Sequence, residues 1–556
     1  MDDINTATEK ILQTKYLLAD LSKMLEWARM EAKATKCRSL VMLKGEVSKR
    51  TVEINGTPIT RLVDKPIKYL GKEYNISLND QQQVGITVTK CKADLKTINK
   101  DKLPGRYKAW ILQHMLLPRT MWPLTIYSVP ATKVEELRRV FTAYLKKWLG
   151  LPRSLTVDAL YSKSSNLRLP FSDVAEETVI AKARTAVTFE QSPDECIRGA
   201  GISVEGGHKW KIAEEVSEAK SRLRMQDITG IANKGREGLG LRHNPIFATS
   251  EGKERRGLIV GKVREKIEEG RRVRMAGLSK QGASTSWELP VRAITSRELI
   301  TASEATLRFA IKSVYDLLPT PENKNRWFQT EEHHCKLCEG AGSLAHILSG
   351  CKVALQQGRY RWRHNKVLRV LAQHMEKKRV EFNSKEPAEK QMRHIEFVSE
   401  GASRRRKTPV CQNAFLDQAK DWRIEVDLDR QLKIPEDIIT TLLRPDMIIY
   451  SRSSKQLALV ELTVPIEERV EISNELKRTK YAELEVAGRL NGWSVKIWAV
   501  EVGSRGFPAA SMATFLKQVG CKGSERRQIL KQLGSEAEQA SATLWRMSHV
   551  KEWGRR

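Results

Sequence analysis

The strongest chemical signal in the chain is a set of soft metal ligands. Cys335, Cys338, His346 and Cys351 follow the spacing C-x2-C-x7-H-x4-C. Two thiolates two residues apart grip one face of a metal ion, and a loop returns an imidazole and a third thiolate to complete a tetrahedron. Three sulfurs and one nitrogen suit zinc, and four protein ligands leave no open position, so the expected site is structural. Gly340, Gly342 and Gly350 supply the bends of so short a loop. The alternatives are three free thiols beside a core histidine, or a site that takes His333 or His334 in place of His346. Directly after it, Arg359, Tyr360, Arg361, Trp362, Arg363 and His364 interleave cations with aromatic rings. That composition suits phosphate contacts with base stacking, and equally suits an amphipathic helix docking the knuckle onto its neighbour.

A second constellation is made of hard ligands. Arg444-Pro445-Asp446 precedes an apolar run, and Glu461 follows after 14 intervening residues, inside the strand-like sequence LALVELTV. Two adjacent strands would bring Asp446 and Glu461 together over one divalent cation, Mg²⁺ in the expected chemistry, which polarises a phosphate and generates a hydroxide. The position two residues after Glu461 is Thr463 rather than a lysine, but Lys477 and Lys480, one turn apart on the next helical stretch with Tyr481 alongside, could reach back. The spacing alone is common. Placement strengthens it, because a carboxylate in an apolar strand is costly to bury without a partner. Glu425 and Asp427 are candidate additional ligands, and a salt bridge to Arg444 or Arg469 is the structural alternative. A third acidic pair, Asp2 and Asp3, could bind catalytic Mg²⁺ only if a carboxylate joined it from another strand.

The composition points the same way. In 556 residues, 97 Lys and Arg face 67 Asp and Glu, a net charge of +30. Such an excess favours a polyanionic partner, since each neutralised phosphate releases counterions. No run reaches the ~18–20 apolar residues of a spanning helix, so no membrane partner is expected. Eight cysteines, only three of them clustered, exclude a disulfide scaffold.

The elements that must position these residues are mixed. Thr6 and Glu9 have capping-box spacing, and Leu18, Leu21, Leu25 and Ala28 predict one buried stripe. Short strands follow over residues 39–43, 51–54 and 67–74, with Asn55-Gly56 as a hairpin signal. Residues 103–151 read as helices split by prolines. On the second, Leu137, Val140, Phe141, Tyr144, Leu145 and Trp148 share a face, and Arg138, Arg139, Lys146 and Lys147 lie off it, either solvated or facing nucleic acid. Residues 235–281, with Arg271, Arg272 and Arg274, read as a linker or an RNA-facing arm, and residues 382–410, with the run Arg404, Arg405, Arg406, Lys407, as an exposed linker. Leu307, Ile311, Val314 and Leu318 mark a helix face. Strands over 422–428, 447–450, 457–462 and 494–502 alternate with a helix over 467–490, a small α/β domain, before a last helix over 524–547.

With these motifs in place, the chain resembles the C-terminal part of the non-LTR retrotransposon polyprotein that pairs a reverse transcriptase with a restriction-like endonuclease. Met1-Asp2-Asp3 resembles the remnant of the polymerase x-x-D-D motif, LEWARMEAKATKCRSLVMLK (residues 25–44) the helix and strand after it, and IKYLG (residues 67–71) the primer-grip hairpin. The knuckle with GRYRWRHNKVL behind it is the most specific part. Arg444-Pro445-Asp446, the run from Glu461 to Pro465, and Lys477, Lys480 and Tyr481 resemble the nuclease core. The resemblance implies a multidomain α+β chain: partial palm (1–75), thumb-like helical domain (76–165), helical linker region (166–320), zinc knuckle and following helix (321–380), basic linker (381–410), restriction-like endonuclease (411–510) and C-terminal helices (511–556). It implies a structural zinc, a catalytic Mg²⁺ held by Asp446 and Glu461 with Lys477 or Lys480 stabilising the transition state, DNA target and element RNA as partners, and a nuclear location. Arg359, Arg361, Trp362 and Arg363, with Arg138, Lys146 and Lys147, are the expected nucleic-acid contacts. Fingers and the first palm aspartate are missing, so no DNA synthesis is expected of this chain alone. The rival expectation is a non-catalytic RNA- or DNA-binding remnant.

Overall fold

A computed structural model describes residues 4–69, 71–76, 79–199, 210–229, 231–235, 238–242, 245–331, 333–384, 414–428 and 431–554. Asp2, Asp3 and the run from Arg404 to Lys407 lie outside the described residues. The fold is mixed α+β and divides into two compact units, Met1–Trp148 with Phe171–Glu269, and Leu149–Pro170 with Gly270–Arg556.

The first unit is mostly helical. The opening helix, Ile11–Trp27, carries the expected stripe, but Leu18, Leu21 and Leu25 are only half-buried, Ala28 is exposed, and no residue of the helix is fully buried. Three small antiparallel hairpins follow. In the second, Asn55 and Gly56 both have positive φ, at 51° and 72°, the requirement of a two-residue turn that matches strand twist. Helices Gln81–Lys100 and Ala131–Trp148 then pack on apolar stripes, Val84, Val88, Cys91 and Leu95 on one and Val134, Leu137, Phe141, Leu145 and Trp148 on the other. Gly105 sits where these meet, since a Cβ there would fall 1.8 Å from the Trp148 carbonyl oxygen. The segment expected as a linker or RNA-facing arm contains instead a 25-residue helix, Gly252–Ala276. Its last turns belong to the second unit, where Arg271 is buried near Asp158 (3.8 Å) and Arg274 pairs with the same carboxylate (2.8 Å).

The second unit is built on a four-stranded sheet. The sheet and the helices that cover it are, in chain order, α1 (Arg359–Ser384), β1 (Arg423–Val426), β2 (Met447–Ser451), β3 (Gln456–Thr463), α2 (Val470–Leu490), β4 (Ser494–Glu501), α3 (Ala510–Gln518) and α4 (Gly523–Arg546). The sheet order is β1-β2-β3-β4, with β1–β2 and β2–β3 antiparallel and β3–β4 parallel across α2. Strands β2 and β3 are apolar without alternation because both faces are covered. Met447, Ile449, Ala458, Val460 and Leu462 pack with Val367 and Leu371 of α1, Phe515 of α3 and Leu533 of α4. Ile448, Tyr450, Leu457 and Leu459 pack on the other side with Tyr481 and Leu484 of α2. The strand boundaries read from sequence agree with these within a few residues, since apolar β-branched runs bounded by turns are what such a sheet demands.

Candidate functional site

The knuckle assembles as the spacing requires. The ligand atoms of Cys335, Cys338, His346 and Cys351 all lie within 4.8 Å of one another, and this is the one such group of three or more His, Cys, Asp or Glu among the described residues. Zinc–sulfur bonds of about 2.3 Å give tetrahedral edges of about 3.8 Å. Cys335 and Cys351 are 3.9 Å apart, sulfur to sulfur, and Cys338 Sγ is 3.1 Å from His346 Nε2. A tight turn closes the first pair, with the Cys335 N–H donating to the Gly340 carbonyl at 2.8 Å and the Glu339 N–H to the Cys335 carbonyl at 3.0 Å. Glycine at 340 leaves room for the His346 ring, since a Cβ there would crowd it at 3.1 Å. Burial keeps the His346 imidazole below its ordinary range, hence neutral and able to ligate. Burial also pushes the Cys351 thiol up to about 11. Burial acts upward on Cys338 too, but the Gly340 amide and the other thiols bring it below an ordinary thiol overall. The residues fit zinc in number, softness and spacing. His333 and His334 are outside the group, and His333 Nδ1 instead lies 3.0 Å from the Glu331 carbonyl.

The carboxylate pair also converges. Asp446 immediately precedes β2 and Glu461 lies in β3, and the register Met447↔Val460 sets the two residues opposite each other at the end of the sheet. The Asp446 N–H donates to Glu461 Oε2 at 3.2 Å, and the Leu462 N–H donates to Asp446 Oδ2 at 2.8 Å. Lys477 of α2 bonds to Glu461 Oε1. Lys480 turns to the Tyr481 hydroxyl at 3.3 Å and lies over that ring, while the hydroxyl donates to the Arg444 carbonyl at 2.8 Å. Burial lifts the Glu461 carboxyl, the charge of Asp446 adds to this, and Lys477 offsets part of it. Glu461 is buried to 5 % exposure, yet the Asp446 side chain keeps 19 %, so the pair is reachable from solvent through Asp446. Of the additional candidates, Glu425 accepts from the Tyr450 hydroxyl at 2.9 Å, and Asp427 accepts the Gln431 N–H at 3.0 Å.

One member was not foreseen. His364, from the second turn of α1, places Nε2 3.2 Å from Asp446 Oδ2 and 3.1 Å from the Leu462 carbonyl. In the sequence it stands out only as the last member of the cation-aromatic run, with nothing to link it to Asp446.

The cation-aromatic run after the knuckle needs correction. Arg359 and Arg363 are each 2 % exposed. Arg359 donates to the carbonyls of Met547 (2.7 Å) and Val550 (2.6 Å), and Arg363 to the Val464 carbonyl (2.8 Å) and Ser541 Oγ (3.1 Å). Burial pulls the Arg363 guanidinium down to about 10, still charged at neutral pH. These two arginines are internal clamps and not a surface for phosphates. Trp362 stacks edge-on with Trp553 at 5.6 Å, and Arg361 donates to the Leu428 carbonyl at 3.2 Å, so both also serve docking. In the first unit, Arg138 is engaged by Asp173 (2.9 Å) and Glu135, and Lys146 is half-buried, its burial lowering its affinity for a proton. Lys147 is exposed.

Among the described residues, no helix is long and apolar enough to cross a membrane. No family model matches this sequence and no curated protein matches it significantly, leaving its chemistry to the geometry of its own residues.

Proposed function

We propose that this chain is a nucleic-acid-binding protein of non-LTR retroelement descent, carrying a Mg²⁺-dependent DNA endonuclease that nicks a target, a structural zinc knuckle, and a segment related to part of a reverse transcriptase. The observation that carries the reading is the convergence of Asp446, Glu461 and Lys477 at one end of the sheet, on residues 15 and 16 positions apart in sequence. Two carboxylates are the hard oxygen donors a divalent cation prefers. A bound Mg²⁺ would supply Lewis-acid polarisation of the scissile phosphate. Asp446 and Glu461 would hold it, and Lys477, already drawn to Glu461, would place a positive charge beside the phosphoryl oxygens as negative charge develops on them. Hydrolysis then adds a water oxygen to phosphorus and breaks the bond to the 3′ oxygen, leaving a 5′-phosphate and a 3′-hydroxyl. In such elements that hydroxyl primes reverse transcription, which implies genomic DNA and element RNA as partners and a nuclear site of action. The net charge of +30 supports polyanion binding.

Charge alone fits a binding remnant without catalysis equally well. The two are separated by incubating the full chain with supercoiled plasmid in Mg²⁺ and in EDTA. Nicking in Mg²⁺ alone is the expected result. Plasmid binding without nicking in either condition would leave only the remnant.

A further inference from the structure

We propose that the zinc knuckle fixes the position of the carboxylate centre through the first two turns of α1, with His364 as the positioning residue for Asp446. The Tyr360 hydroxyl touches the main chain of two knuckle ligands: it accepts the Cys351 N–H at 3.0 Å and faces the carbonyls of His346 at 3.2 Å and Ile347 at 3.0 Å. Four residues later, about 6 Å along the same helix, His364 Nε2 lies against two acceptors, Asp446 Oδ2 and the Leu462 carbonyl. With acceptors on both sides, Nε2 carries the proton and donates. Asp446 Oδ2 is therefore held by two donors, the Leu462 N–H from β3 and the imidazole from α1.

The intervening turn leaves little freedom to absorb a movement. Arg363 donates to Val464, two residues beyond Leu462, and Asn365 donates to Leu428 at 2.9 Å, just after β1. Tyr360 thus reads the knuckle, and His364 transmits its position to a carboxylate oxygen. Zinc binding at such a site is coupled in free energy to the ordering of its loop. Loading the knuckle therefore sets the first turn of α1 and, one turn on, the geometry of Asp446. The functional half of this inference rests on reading Asp446 and Glu461 as a cation centre. The structural half does not.

The test is amide hydrogen exchange on the full-length, zinc-loaded chain, read at Leu462, with residues 457–460 of the same strand as internal control. His364→Ala is expected to speed exchange at Leu462 at least about tenfold without moving the control. His364→Gln, whose amide offers a donor at a similar reach, is expected to restore the parent rate to within about threefold. Tyr360→Phe, which keeps the ring and deletes the hydroxyl, and chelation of zinc from the parent are both expected to accelerate Leu462. If chelation also accelerates the control strand, the chain has unfolded and Tyr360→Phe decides alone. Parent-like exchange in His364→Ala overturns the positioning role, and parent-like exchange in Tyr360→Phe overturns the coupling to the knuckle. Mn²⁺ titration of the same proteins reads the cation centre separately: affinity that depends on Asp446 and falls about tenfold in His364→Ala is expected. If the parent shows no Asp446-dependent Mn²⁺ binding, the nuclease reading and the functional half fall together, while the exchange rates still decide the structural half.

Discussion

The two candidate centres are built by opposite routes. The knuckle draws all four ligands from residues 335–351, and its geometry is set by a tight turn, a glycine where the histidine ring passes, and one hydroxyl that ties the loop to α1. The carboxylate centre draws Asp446, Glu461, Lys477 and His364 from the edge of β2, from β3, from α2 and from α1, and it exists only when the sheet and both its covering layers are in place. A local site is robust to what happens elsewhere in the chain. A distributed one inherits every strain in the elements that deliver its parts. The two should therefore respond differently to substitution, and the responses can be ranked.

Removing a knuckle thiolate has the largest expected effect. Cys351→Ser should cut zinc retained after dialysis, measured by metal analysis, from one ion per chain to almost none, because the soft tetrahedron no longer closes. Full retention would mean the metal, if any, is held elsewhere. Next, Arg363→Ala should cost about 2–4 kcal/mol in urea unfolding, by leaving the Val464 carbonyl and Ser541 hydroxyl without a donor and opening a cavity. An arginine that only faced nucleic acid would leave stability unchanged, so this variant discriminates clamp from contact.

Glu467, at the entrance to α2, provides the pH arm. Burial lifts its carboxyl from an ordinary 4.5 to about 7, against the pull of Arg505. Between those values the folded chain keeps a proton that the unfolded chain has released. Its contribution to stability is thus full below the lower value and is lost as pH rises through the higher one. Glu467→Gln should flatten the fall in melting temperature across that window, and an unchanged pH profile would contradict the assignment. Gly488→Ala should cost about 1–3 kcal/mol, since its Cβ would lie 2.1 Å from Val495 Cγ2, where α2 packs on β4. Because Lys477 rides the same helix, this substitution should disturb the distributed centre while leaving zinc content intact. Lys147→Ala is the smallest, with unchanged melting and a salt-dependence of DNA binding shallower by about one phosphate contact.

These contrasts explain what could be read from the residues alone. The knuckle was legible because its chemistry and its spacing are the same short stretch. The sheet was legible because β2 and β3 are largely apolar, β-branched runs, and Asp446 and Glu461 stood out as the charges at the edge and in the interior of those runs. Lys477 rather than Lys480 as the partner of Glu461 was not decidable, since both lie one turn apart and helix phase decides which faces the strand. The arginines of α1 were open for a similar reason. Cations among aromatics look the same whether they face outward or cap carbonyls, and the carbonyls in question belong to Val464, Met547 and Val550, more than a hundred positions away. His364 is visible in that run, but its pairing with Asp446 is not, for the same cause: the partner is set by tertiary packing. The opening helix shows the converse: its stripe was correctly periodic, yet periodicity does not say how much of it is covered.

Whether Asp446 and Glu461 hold a catalytic cation is read from the rate of supercoiled-plasmid nicking in Mg²⁺ by the parent, by Asp446→Asn and by Glu461→Gln, each first shown to bind plasmid and retain zinc. Both variants are expected to lose at least about 100-fold with binding nearly intact, as neutralising the ligands of a catalytic cation would cause. Nicking at the parent rate by either variant would contradict it.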